Sequence, residues 1–68
     1  MSRAITLNGE PREVPPSATV ASLLAELGFE GRKVAIERNL AIVPRSLYAE
    51  TPLEAGDRLE VVAFVGGG

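Results

Sequence analysis

Three consecutive glycines, residues 66–68, follow directly on a run of strand-forming residues and could present a bare acyl group. Glycine has no Cβ, so such a segment passes through channels that exclude other residues. Extended, three residues reach roughly 10 Å. A carboxylate on Gly68 is inert near neutral pH, and we expect it to react only after activation, for example as an acyl-adenylate, in a partner's enclosed site. Gly68 is the predicted modified residue and Gly66 and Gly67 the predicted threading tail; the alternative is a frayed terminus without a role.

The rest of the chain offers little chemistry of its own. It contains no cysteine and no histidine, which excludes disulfides, thiolate metal sites, thiol nucleophiles and the usual general base near neutral pH. The acidic side chains show no spacing that would pair two carboxylates for acid–base work. An enzyme acting alone is therefore the weakest hypothesis, and we expect no bound metal or cofactor.

Composition and charge point to a single domain with an aliphatic core. Of the 68 residues 46% are hydrophobic and only 4% aromatic, and the net charge is -2. The charges are interspersed, whereas nucleic-acid binding requires a basic face; Arg32-Lys33 is the best candidate, and it is more simply a solvated loop. No apolar stretch approaches the ~20 residues that cross a bilayer, and no signal-peptide pattern opens the chain. We expect a cytoplasmic protein without nucleic-acid or membrane partners.

The first half of the chain predicts a hairpin and one helix. Residues 4–7 alternate as a strand does, Asn8-Gly9 favours a two-residue turn, and residues 10–14 form the returning strand. Thr19 is a predicted helix N-cap, and Gly28 fits a left-handed C-terminal cap. One apolar stripe runs along the helix between these caps: Val20, Leu23, Leu24 and Leu27. Phe29 is expected to fold back onto the last turn.

The second half predicts three more strands. Residues 34–37 form one, with a turn near Arg38-Asn39, and residues 40–43 are its continuation or hairpin partner. A short helical turn at 46–50 and a loop precede the last strand, 58–65. We therefore predict an α+β fold, a mixed four- to five-stranded sheet with one main helix across one face, and the first and last strands as central neighbours. The domain is expected to span residues 1–65, with 66–68 as a flexible tail.

The last strand has two different faces, because side chains alternate along a strand. One face is fully apolar and should meet the helix: Leu59, Val61, Ala63 and Val65. The other becomes hydrophobic toward the tail at Val62 and Phe64, which we predict to contact a partner. The alternative is that the segment 46–53 wraps round and covers them.

Four further side chains are assigned more ordinary roles. For Arg38 and Arg45, solvated guanidinium groups are favoured over contacts with an acidic partner. Asp57 is predicted to hydrogen-bond its own turn, and Tyr48, like Phe29, is predicted to close the core locally.

Several short motifs, in their order and spacing, carry a resemblance that covers nearly the whole chain. They are Asn8-Gly9, Thr19-Val20 with Leu23-Leu24, Ile36-Glu37-Arg38-Asn39, Ile42-Val43-Pro44-Arg45, Gly56-Asp57 and Phe64-Val65-Gly66-Gly67-Gly68. Together they resemble the ubiquitin-like β-grasp proteins and, more narrowly, the ThiS family of sulfur carriers in thiamine biosynthesis.

That resemblance implies a mechanism. An E1-like adenylyltransferase uses ATP and Mg²⁺ to adenylate Gly68. Sulfur from a cysteine desulfurase then replaces AMP and leaves a thiocarboxylate, which thiazole synthase receives for the thiazole ring. On this account the carrier itself binds no cofactor and is a co-substrate of its partner enzymes.

Three alternatives stay open. The small subunit of molybdopterin synthase shares the fold and the double-glycine end, but its members tend to be longer and often carry prolines before the tail, whereas 63–65 has none. A protein modifier would be joined to lysines by an isopeptide bond. A plain β-grasp interaction module would make no use of its glycines.

Overall fold

One five-stranded sheet with a helix on one face makes up the part of the chain that the computed structural model describes, residues 1–29 and 33–63. The elements are β1 Arg3–Leu7, β2 Glu10–Val14, α1 Val20–Glu26, β3 Val34–Arg38, β4 Ala41–Ile42, a 3₁₀ helix Arg45–Glu50 and β5 Arg58–Ala63. The strand order is β2-β1-β5-β3-β4. The first and last strands are parallel central neighbours and the other neighbours are antiparallel. The predicted mixed sheet is confirmed, with five strands; the predicted tail at 66–68 lies outside the described residues.

The first hairpin forms at Asn8-Gly9, as predicted. Asn8 has φ 51° and Gly9 φ 84°, the two positive angles of the turn type whose twist matches that of paired strands. Leu7 and Glu10 face each other across the turn. Strand β2 lies at the sheet edge, where Pro11 removes no hydrogen bond from a central ladder.

Helix α1 begins and ends where its capping residues predict. The backbone N–H of Ser22 donates to Thr19 Oγ1 at 3.1 Å, and that of Thr19 donates back to Ser22 Oγ at 2.8 Å, so each satisfies an orphan donor of the first turn. Gly28 follows the helix with φ 86°, and the Phe29 N–H returns to the Leu24 carbonyl at 2.9 Å. In residues 1–29 and 33–63, no helix is long and apolar enough to span a membrane.

The core lies between the sheet and α1 and is aliphatic. Its buried residues are Ile5, Val14, Ala18, Val20, Leu23, Leu24, Ile36, Val43, Leu53 and Leu59. Leu59 on β5 and Ile36 on β3 are each 1% exposed, and burying one such side chain contributes about 1.5–3 kcal/mol. The two central strands therefore anchor the sheet to the helix.

The segment 45–53 packs beside α1 and closes that side of the core. The N–H of Val20 donates to the Thr51 carbonyl and that of Leu53 to the Ala18 carbonyl, both at 3.0 Å. Tyr48 Oη donates to the Val34 carbonyl at 3.3 Å, which confirms Tyr48 as a local closure. Since this segment contacts α1, it does not cover the opposite face of the sheet.

The second hairpin turns one residue later than expected. Strand β3 continues through Arg38, which pairs with Ala41, and the turn residues are Asn39 and Leu40, with φ 53° and 72°. The prediction of a strand over 40–43 is wrong at both ends, because Leu40 has the left-handed backbone that a tight turn demands and β4 ends at Ile42. Strand β4 is a hairpin partner of β3, the second of the two arrangements that the sequence left open.

Candidate functional site

Strand β5 leads toward the predicted tail, and its neighbours hold it unequally. Antiparallel β3 pairs with it from Leu59 to Ala63, the last described residue of β5. Parallel β1 pairs with it only at Arg58 and Leu59, because β1 turns away at its hairpin. The far half of β5 therefore needs another partner on the β1 side.

The side chain of Asn8 supplies that partner. The Val61 N–H donates to Asn8 Oδ1 at 2.8 Å, and Asn8 Nδ2 approaches the Val61 carbonyl at 3.4 Å. The side-chain amide of Asn8 thus takes the place of a neighbouring strand at Val61, beyond the end of β1. The turn-forming preference of Asn-Gly already explains Asn8, so no separate pattern in the sequence indicates this second role. The result is a β5 whose direction is fixed on both sides as far as Val61.

The start of β5 is fixed by Asp57, whose side chain is 6% exposed. It accepts hydrogen bonds from Arg38 Nε at 2.8 Å, Asn39 Nδ2 at 3.1 Å and the Glu54 N–H at 2.8 Å. Burial by itself raises the pKa of Asp57, but these three donors and the Arg38 charge outweigh it, and the pKa is lowered from its ordinary value. The predicted bond to its own turn is confirmed by the Glu54 contact.

Arg38 is therefore not the solvated residue that was expected. Its side chain is 30% exposed and forms an ion pair with Asp57, because the β3–β4 turn lies directly against the start of β5. Arg45 is exposed at the beginning of the 3₁₀ helix, as a solvated guanidinium would be.

The two faces of β5 are arranged as predicted over the described residues. Leu59 is buried and Val61 and Ala63 are partly buried on the helix side, whereas Val62 is 54% exposed on the opposite side. Phe64, the second predicted contact residue, lies outside the described residues, as do Val65 and the glycines at 66–68. Of the predicted site residues, the structure thus places Val62 alone.

Val62 belongs to a wider apolar and acidic surface that we call the open face: Ala35, Glu37, Leu40, Ile42, Arg58, Glu60 and Val62. Register places Ala35 opposite Val62, Glu37 opposite Glu60, and Ile42 beside Glu37. Leu40 is 82% exposed and Ile42 64% exposed. Single exposed aliphatic residues are ordinary, but three on one sheet face that no described segment covers are typical of a docking surface.

A shallow depression of about 290 Å³ lies on the open face. Glu37, Glu60, Arg58 and Leu40 line it, together with Thr6 from β1. Residues 1–29 and 33–63 contain no group of three or more side chains suited to hold a metal ion. The open face thus combines exposed aliphatic side chains with a depression lined by charged ones.

Comparison with known proteins identifies the family. The sequence pattern of the ThiS family matches residues 5–68. The chain belongs to the ThiS family. A solved structure of a ThiS protein of thiamine biosynthesis from Geobacter metallireducens is similar to this chain, with a TM-score of 0.78 and 32% sequence identity. The match covers 96% of this chain and 99% of the Geobacter metallireducens chain. The predicted ubiquitin-like β-grasp fold is therefore confirmed.

Two curated relatives extend the comparison. A protein of Bacillus subtilis named sulfur carrier protein ThiS is 40% identical over 52 residues, which are 76% of this chain and 79% of that protein. A protein of Paramagnetospirillum magneticum named thiazole synthase is 56% identical over 64 residues, which are 94% of this chain. The ThiS-family chain spans only 20% of the length of that thiazole synthase.

Proposed function

We propose that this chain is a sulfur carrier of thiamine biosynthesis, and that Gly68 carries the sulfur as a thiocarboxylate. The observation that carries this proposal is the family match over residues 5–68. The Bacillus subtilis relative, itself named a sulfur carrier, supports it. The structure adds a physical reason, since β5 is held on both sides up to Val61 and runs toward the glycines.

The first step activates the carboxylate of Gly68. One carboxylate oxygen attacks the α-phosphorus of ATP, which the partner adenylyltransferase binds with Mg²⁺, and pyrophosphate leaves with the electron pair of the broken P–O bond. The product is an acyl-adenylate. The bare backbone of Gly66 and Gly67 lets the acyl end reach an enclosed site, while the domain supplies binding energy away from the reacting atoms.

The second step exchanges oxygen for sulfur. A cysteine desulfurase supplies this sulfur as a persulfide, and a thiol reductant cleaves the S–S bond, is oxidised to a disulfide and releases the outer sulfur as hydrosulfide. The hydrosulfide attacks the acyl carbon. A C–S bond forms, the C–O bond to AMP breaks, and AMP leaves with that electron pair. No side chain of the carrier acts as an acid or base in either step, so the carrier is a co-substrate and not an enzyme.

Thiazole synthase is the proposed acceptor of the sulfur. A segment similar to almost the whole of this chain forms part of the Paramagnetospirillum magneticum protein of that name. A carrier and an acceptor within one polypeptide meet at a high effective concentration, which is consistent with transfer between them.

ATP–pyrophosphate exchange catalysed by the cognate adenylyltransferase tests the proposal. We expect the wild-type chain to support exchange and a variant that lacks Gly67 and Gly68 to support none, with both proteins melting at nearly the same temperature. Exchange by the shortened variant would contradict the role of the tail. Stable higher-mass conjugates with other proteins would indicate a modifier instead.

A further inference from the structure

Two carboxylates lie directly opposite each other on the open face. Glu37 of β3 and Glu60 of β5 are register partners on antiparallel strands, so their side chains leave the sheet on the same side. Like charges in this arrangement repel each other and destabilise the pair. The pair joins β5, the central strand of the sheet, to its neighbour β3.

Within the described part of the chain, neither glutamate of the pair forms an ion pair. The ion pairs of residues 1–29 and 33–63 are Arg12 with Glu26 and Arg38 with Asp57. Arg58 lines the same depression but forms an ion pair with neither glutamate. The Arg38 charge is directed at Asp57 on the helix side of the sheet, since Arg38 and Glu37 alternate along β3.

The backbone of Leu40, in the apolar part of the open face, is strained. Leu40 has φ 72°, a conformation that bulky residues seldom adopt and that glycine or asparagine adopts readily. Its side chain is also 82% exposed, so the fold gains little from packing it. Strained backbone of this kind clusters at functional positions, and Leu40 borders the depression that contains both glutamates.

We propose that the open face docks a protein surface that carries an arginine or lysine side chain set among apolar side chains. The cation is received between Glu37 and Glu60, and Leu40, Ile42 and Val62 form the apolar rim. This inference rests on the proposed function, because the partner whose surface docks on the open face is the adenylyltransferase that activates Gly68.

Charge complementarity selects this occupant over two others. The open face carries two carboxylates and one guanidinium, Arg58, so the uncompensated charge at its centre is negative. A second copy of the chain would bring the same two carboxylates and repel the first. Nucleic acid would bring phosphates and is disfavoured for the same reason. An enclosed cation relieves the repulsion, and an apolar rim that excludes water strengthens the contact.

The test compares KM and kcat for the carrier in the adenylyltransferase's ATP–pyrophosphate exchange. Glu37→Gln combined with Glu60→Gln removes both charges and keeps both shapes. We expect its KM to rise about tenfold or more, with kcat at saturation unchanged and a melting temperature that is equal or higher. The KM of the wild type should rise with salt more steeply than that of the double variant. Leu40→Ala should also raise KM.

Matched controls lie on the helix side of the molecule. Glu50→Lys changes an exposed acidic residue, and Leu47→Ala an exposed leucine, both in the 3₁₀ helix that packs on α1. We expect neither to alter KM. If Glu50→Lys raises KM equally, the effect depends on the net charge of the chain and not on the Glu37–Glu60 pair, and the inference is overturned.

Two further outcomes separate this inference from the proposed function. If the wild-type chain supports no exchange, the proposed function fails and this inference fails with it. If the wild type is active and the double glutamine variant has the same KM, only the docking inference is overturned. Sedimentation that shows a wild-type dimer, dissociated by Val62→Asp, would assign the open face to a second copy and overturn it as well.

Discussion

Arg38 Nε donates a 2.8 Å hydrogen bond to Asp57 Oδ2, and this contact ties the end of β3 to the residue before β5. Asp57 also accepts from Asn39, whose Oδ1 in turn accepts from the Arg58 N–H at 2.9 Å. The β3–β4 turn and the start of β5 are therefore one hydrogen-bonded unit. Together with the Asn8 contact to Val61, it fixes β5 at its start and as far as Val61.

Removing the Asp57 carboxylate should destabilise the domain. In Asp57→Ala the donors from Arg38, Asn39 and the Glu54 backbone lose their acceptor. Unsatisfied polar groups of this kind cost about 1–3 kcal/mol. Urea unfolding checks this, with Glu54→Gln as a control because that side chain is exposed. A loss no larger than that of the control would contradict the role assigned to Asp57.

The same residue predicts how stability depends on pH. The pKa of Asp57 is lower in the folded chain than in the unfolded one, so the unfolded state binds more protons as the solution is acidified. The stabilisation is present above the unfolded value of about 3.9 and is lost as the pH falls through the folded pKa. Between pH 5 and about pH 2, wild type should lose more stability than Asp57→Asn. Parallel loss in both proteins would contradict this.

Asn8→Gly should loosen β5 while it leaves the first turn intact. Glycine adopts the positive φ of position 8 readily, but the two contacts with the Val61 backbone disappear. We expect a loss of about 1–2 kcal/mol and faster amide hydrogen exchange at Val61. Asn8→Asp is the matched variant, because it retains the acceptor for the Val61 N–H. Unchanged protection of Val61 in Asn8→Gly would show that β3 alone holds the strand.

Leu40→Gly should separate stability from binding. A residue other than glycine pays about 1–2 kcal/mol for left-handed backbone, and the greater freedom of glycine in the unfolded chain offsets about 0.4–1 kcal/mol of that gain. The variant should therefore be as stable as the wild type or up to about 1.6 kcal/mol more stable, yet should bind the adenylyltransferase less tightly. Calorimetry and exchange kinetics measure the two effects. If Leu40→Gly binds the adenylyltransferase as tightly as the wild type does, the strained backbone at position 40 has no role in docking.

Val62→Asp should weaken partner binding more than folding. Val62 is 54% exposed, so a carboxylate there stays in water in the free protein, whereas docking would bury it beside Glu60. Leu47→Asp is the matched control on the other side of the molecule. If Val62→Asp fails to fold, the open face is covered in the native protein.

Local signals made much of the fold predictable. Asn8-Gly9, the Thr19 cap and Gly28 each demand a particular backbone geometry, and the alternation from Leu59 to Val62 separates the two faces of β5. These features depend on neighbours within a few residues. The same alternation predicts that Val62 lies on the face opposite the helix, without any knowledge of which strands pair with β5.

Contacts between distant residues were not predictable in the same way. Arg38 and Asp57 are 19 residues apart and Asn8 and Val61 are 53 apart, and no local pattern indicates that either pair meets. The Glu37–Glu60 pair likewise depends on the register of β3 against β5. Leu40 was wrongly assigned to a strand because it directly precedes the apolar residues 41–43, and the geometry of the hairpin turn overrides that local pattern.

The intact mass of the protein after incubation with its adenylyltransferase, ATP, Mg²⁺ and a sulfur donor tests the account most directly. We expect a gain of about 16 Da, the difference between sulfur and oxygen, and fragmentation should locate it at Gly68. An added residue or an amide that blocks Gly68 should prevent the gain. An unchanged mass of the unblocked chain, with ATP and sulfur both consumed by a control carrier in the same mixture, would contradict the account.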